Sequence, residues 1–75
     1  MIRLWADFDN SDEDGRINLN CVGSLASIGA LASPLRPGTR VLLSDDQVEV
    51  EGVIEFDDAH GVWVAIPDWS TIENP

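Results

Sequence analysis

The sequence predicts a mainly β (α+β) fold: about five antiparallel strands forming a small barrel or strongly bent sheet, with one short helix near residues 24–32. Three observations predict it. Apolar and polar residues alternate with a period of two near both ends of the chain, as in Ile2, Leu4, Ala6 and Phe8 and again in Val48, Val50, Gly52, Ile54 and Phe56. Clusters of turn-forming residues, "DNSDEDG", "RPG", "SDD" and "DDAHG", separate the apolar runs. The chain has 75 residues, which allows a single domain, 1–75, with one core that buries only about 60% of the surface an unfolded chain exposes.

The first strand is expected over "IRLWADFD", where Ile2, Leu4, Ala6 and Phe8 face one side and Arg3, Trp5 and Asp7 the other. A second strand carries Ile17, Leu19 and Cys21, so the acidic segment from Asp9 to Gly15 would close a hairpin between the two. From Ser24 the spacing changes to that of a helix, with Leu25, Ile28, Leu31 and Ala32 on one face and Ser24 as N-cap. Gly29 weakens such a helix by about 1 kcal/mol, and Pro34 ends it. A turn at Pro37 and Gly38 opens a third strand from Thr39 to Ser44, and a fourth runs from Val48 to Phe56. Gly52, at its middle, marks a bend. In the fifth strand, "VWVAI", Val62, Val64 and Ile66 are expected inside and Trp63 and Ala65 outside, before "PDWSTI" leaves the sheet.

Fourteen acidic residues against four arginines and no lysine give a formal charge of −10. This disfavours nucleic acid, which is held by clusters of basic side chains, because Arg3, Arg16, Arg36 and Arg40 are scattered singly. The same charge favours a basic protein partner or a divalent cation. No apolar run approaches the roughly 20 residues of a membrane-crossing helix, and the N-terminus becomes acidic too early for a secretory signal. Cys21 is the only cysteine, expected as a small buried apolar group, and its lone thiol suits a reducing cytoplasm.

The run from Arg36 to Trp69, "RPGTRVLLSDDQVEVEGVIEFDDAHGVWVAIPDW", resembles the meander of SH3-like small β-barrels of the KOW or Tudor kind. A Pro-Gly turn opens a strand, a Gly-Val-Ile step sits mid-sheet, and a short aromatic strand ends the run. The resemblance implies a strongly coiled sheet used for binding. The chain lacks the basic surface of KOW modules, which points the expectation away from RNA.

The acidic loop "DNSDEDGRIN" has the front half of an EF-hand calcium loop, with Asn10, Asp12 and Asp14 at alternating ligand positions, Gly15 at the turn and Arg16 offering its carbonyl. The back half departs from that pattern. The position of the bidentate glutamate is Cys21, a soft ligand for a hard ion, and no helices flank the loop. Weak calcium binding through residues 9–18 is therefore the alternative to an ordinary acidic turn, and no other cofactor is expected.

The remaining constellation is aromatic and acidic. Trp5 and Trp63 fall out of phase with the aliphatic faces of their strands, so each is either outward or covered by the helix or by "DWSTI". With Trp69, Asp7 and Asp68 they would form a shallow site for a basic or proline-containing peptide, since indole faces attract cations and stack on proline. Catalysis has little support. His60, the only histidine, lies in a turn; the acid pairs Asp45–Asp46 and Asp57–Asp58 sit at hairpin tips; one Cys and one His do not make a zinc site. The expected function is that of a small cytoplasmic adaptor, not an enzyme, whose partner is a basic protein or a second copy joined through a sheet edge or the tryptophan face.

Overall fold

Alternating side chains do become strands in the computed structural model, which describes residues 1–73. Five strands, β1 (Ile2–Trp5), β2 (Ile17–Asn18), β3 (Arg40–Ser44), β4 (Glu49–Asp57) and β5 (Val62–Glu73), form one sheet in the order β1-β3-β4-β5-β2. The sheet is strongly curled into a half-barrel, and one helix, α1 (Val22–Gly29), joins β2 to β3. The concave side holds Leu4, Ala6, Ile17, Leu19, Leu35, Val41, Leu43, Val50, Ile54 and Ala65, with Ile28 and Leu31 packed against them. Each large aliphatic group buried there stabilises the fold by about 1.5–3 kcal/mol relative to exposure.

The sheet is mixed rather than wholly antiparallel. The expected hairpin between the first two strands does not form: β1 ends at Trp5 and pairs in parallel with β3, Ile2 beside Val41 and Leu4 beside Leu43. β2 lies at the opposite margin, Ile17 against Ala65 and Asn18 against Val64. A parallel pair needs a long crossover, and α1 lies within it. The alternation in "IRLWADFD" correctly places Leu4 and Ala6 in the core, but period two says nothing of which strand lies alongside.

α1 begins two residues before its expected start. Its N-cap is Cys21, whose sulfur accepts from the Ser24 N–H, and Ser24 is buried one turn inside. Cys21 is thus a half-exposed capping group rather than a buried apolar one. The reason lies on β1. The Ser24 hydroxyl donates to the Trp5 carbonyl (2.6 Å) and the Trp5 N–H donates to Ser27 Oγ (3.1 Å), so two helix serines satisfy backbone groups that an outer strand would otherwise leave open.

Gly52, expected to mark a bend, lies within the continuous β4 and is a point of close approach. It pairs with Val41 on one side and Pro67 on the other, and a Cβ there would lie 2.8 Å from the Ile66 carbonyl oxygen and 2.9 Å from Leu43 Cδ1. The two flanking strands, β3 and β5, approach β4 closely because that position has no side chain.

β5 departs from expectation twice. Its core face is Ala65 with Trp63, since pairing sets Ala65 beside Ile54 and Trp63 beside Phe56; Ile66 points outward, while Val64 is buried outside the main cluster. The strand also continues through "PDWSTIE" to Glu73 instead of leaving the sheet. The register shifts between Glu49 and Glu51, and there Thr71 Oγ1 accepts from the Glu51 N–H (2.8 Å) while donating to the Asp68 carbonyl (2.7 Å). A side chain replaces a ladder bond where the proline and the irregular register interrupt the backbone pattern.

Candidate functional site

The acidic segment is a tight turn held by its own arginine. Asp12 Oδ1 accepts from the Asp14 and Arg16 N–H groups (2.9 and 3.0 Å), and Asp12 Oδ2 accepts from Arg16 Nε (2.7 Å). Gly15 supplies the left-handed backbone, φ +80°. Asn10 Nδ2 donates to the Asn18 carbonyl and to Asn20 Oδ1. Asn10, Asp12, Asp14 and Arg16 therefore do not converge as ligands; N–H donors, Arg16 among them, crowd the carboxylate that would lead an ion site. Among the described residues no group of three or more His, Cys, Asp or Glu side chains could hold a metal ion.

Arg16 also reaches Asp57 Oδ2 (3.2 Å), which His60 Nδ1 approaches at 2.9 Å, so the loop is tied to the β4–β5 turn. Asp12 loses solvation, which raises its pKa, yet the hydrogen bonds from Arg16 and Asp14 outweigh that and leave it below the usual carboxylate value. The hydrogen bond from His60, helped by Arg16, depresses Asp57. A second ionic cluster lies on the outer face, where Arg40 bonds Glu51 (2.9 Å) and Asp68 (3.2 Å). Hydrogen bonds from Ser70 and then from Arg40 hold Asp68 below its usual value. Arg3 pairs with Glu49.

Two acids outside these clusters border a cleft. Asp7 follows β1 and Asp45 follows β3; with Trp5, Ala6, Cys21, Val22 and Gly23 they line a cavity of about 370 Å³. Parallel pairing brings them together, since Trp5 stands beside Ser44 and the Ala6 N–H donates to the Ser44 carbonyl (3.0 Å). Each carboxylate is fixed through one oxygen: Asp7 Oδ1 accepts from the Asp9 N–H (3.0 Å), and Asp45 Oδ1 from the Gln47 and Val48 N–H groups (2.7 and 2.8 Å). Neither takes part in an ion pair among the described residues. Trp5 forms the wall, 36% exposed, and its indole packs so tightly on α1 that a Cβ on Gly23 would collide with Trp5 Cδ1.

Of the residues expected to contact a partner, Trp5 and Asp7 meet in this cleft. Trp63, Trp69 and Asp68 do not line it. Trp63 packs against the core and edge-on to Phe56, ring centroids 5.1 Å apart, so removing it tests the fold first. Trp69 is 49% exposed and tilts against Phe8 at 5.8 Å, and Asp68 is committed to Arg40. Asp45, Val22 and Gly23 are lining residues that periodicity does not indicate, because only the parallel β1–β3 pairing and the docked helix bring them beside Trp5.

No family model, no curated protein and no solved structure matches the chain.

Proposed function

We propose that this protein is a small acidic interaction module that binds a basic or proline-containing segment of a protein partner, and that it works by binding rather than by catalysis. One observation carries the reading: a partly exposed tryptophan lines a cleft together with two carboxylates that no arginine among the described residues neutralises. Indole and carboxylate together favour a cation over a neutral group, and a net charge of −10 speeds encounter with a basic partner. A reducing cytoplasm is the setting that fits the lone thiol of Cys21.

The test is an amide chemical-shift titration with an arginine- and lysine-rich peptide, and separately with a proline-rich one. Shifts centred on Trp5, Ala6, Asp7, Val22, Gly23 and Asp45 are expected, falling away as salt is raised. In Trp5→Ala the shifts should vanish while the dispersed spectrum of a folded protein remains. Movement confined to Asp9–Asn18 on adding calcium, with no response to either peptide, would replace this reading with that of an ion binder.

A further inference from the structure

We infer that the occupant of the Trp5 cleft is an arginine side chain, presented by a partner segment with an apolar residue close beside it. The inference rests on the binding reading above and names the chemistry that reading leaves open.

The cleft lies at the carboxyl ends of two neighbouring parallel strands, where side chains from separate loops converge on one space. Asp7 and Asp45 each spend Oδ1 on backbone N–H groups of their own turn, and their Oδ2 atoms accept no hydrogen bond among the described residues. Two anionic oxygens held by separate turns, beside the flat wall of Trp5, suit a planar cation with several donors in one plane. A guanidinium can stack on the indole while its edges reach both carboxylates; an ammonium offers a point charge and no face to stack. The N-terminus of α1 is also nearby, through Cys21, Val22 and Gly23. Its partial charge of roughly +0.5 opposes a cation, but two full carboxylate charges exceed it.

The apolar neighbour follows from α1. Val22 lines the cleft and is 87% exposed, and Leu25, three residues on along the same helix, is 56% exposed. A partner whose arginine enters the cleft lays its adjacent residues over these two side chains, where a leucine or valine would remove apolar surface from water.

The experiment uses capped Gly/Ser peptides that carry one Leu-Gly-Xaa triplet, with Xaa arginine, lysine or glutamine, titrated into the intact chain and followed by amide shifts. The arginine peptide is expected to bind about tenfold more tightly than the lysine peptide, and the glutamine peptide to give no saturable shift. Asp45→Asn should weaken the arginine peptide by about tenfold, whereas Glu55→Gln, an exposed acid away from the cleft lining, should leave it unchanged. Leu25→Ser should weaken both basic peptides alike. Equal affinity for arginine and lysine, with shifts still centred on the cleft, overturns the inference and leaves the binding reading standing; shifts elsewhere, or none, overturn the inference, and overturn the binding reading as well when the proline-rich peptide also fails to move the cleft amides. Asp45 also caps its own turn, so if Asp45→Asn unfolds, the arginine-to-lysine ratio on the unaltered chain decides.

Discussion

Gly52→Ala isolates the physical cause of the curl. The added methyl would sit 2.8 Å from the Ile66 carbonyl oxygen and 2.9 Å from Leu43 Cδ1. The leucine can rotate; the carbonyl belongs to β5 and moves only with the strand. Inserting one carbon into a packed site of this kind costs about 1–3 kcal/mol. Loss of unfolded-state freedom returns about 0.4–1 kcal/mol, leaving a net destabilisation of about 1–2 kcal/mol. In a domain of this size that lowers Tm by roughly 5–15 °C. Urea unfolding should show a lower midpoint with an unchanged slope. Gly29→Ala is the control: nothing lies within 4 Å of its Cβ position and its backbone is helical, so it should raise stability by up to about 1 kcal/mol. A Gly52→Ala protein as stable as the parent would refute the claim that missing bulk lets β3 and β5 close on β4.

Ser24→Ala removes the hydroxyl that donates to the Trp5 carbonyl and leaves that acceptor beside a buried site, so stability should fall by about 1–3 kcal/mol in a guanidinium melt; an unchanged midpoint would mean the helix does not seal β1. Acid should destabilise the fold in a defined window. Asp12, Asp57 and Asp68 have folded-state pKa values below their ordinary one, so their contribution is present above about pH 4 and is lost as pH falls through the depressed values. Relief of general repulsion acts the other way on acidification, and Arg16→Gln separates the two effects. The parent should lose more melting temperature between about pH 5 and pH 2.5 than the variant, which has already lost the cation beside Asp12 and Asp57; parallel curves would discard the role assigned to Arg16.

Much of the fold was legible because alternation reports burial on one face. Spacing alone places Leu4, Ala6, Val50 and Ile54 inside. Spacing does not report partners. The parallel β1–β3 pair joins segments with β2, a helix and a loop between them, and nothing local to Ile2 or Val41 encodes it. Spacing misassigns the inward face of β5 because "VWVAI" is apolar at every position, which leaves the phase to register with β4. Ser24 reads as a cap on preference alone, but its bond to Trp5 draws it inside the helix. The same distinction divides the site: Trp5 and Asp7 stand out chemically, whereas Asp45 looks like any turn acid until β3 is laid against β1.

That parallel pair also shapes how the chain reaches its final form. The meander β3-β4-β5 closes through short turns, while Ile2 must find Val41 across the greater part of the molecule. Closing so large a loop spends chain entropy before any contact rewards it. The cleft therefore depends on a long-range closure: Trp5, Asp7 and Asp45 meet only once β1 has docked on β3, whereas the central hairpins form through short turns.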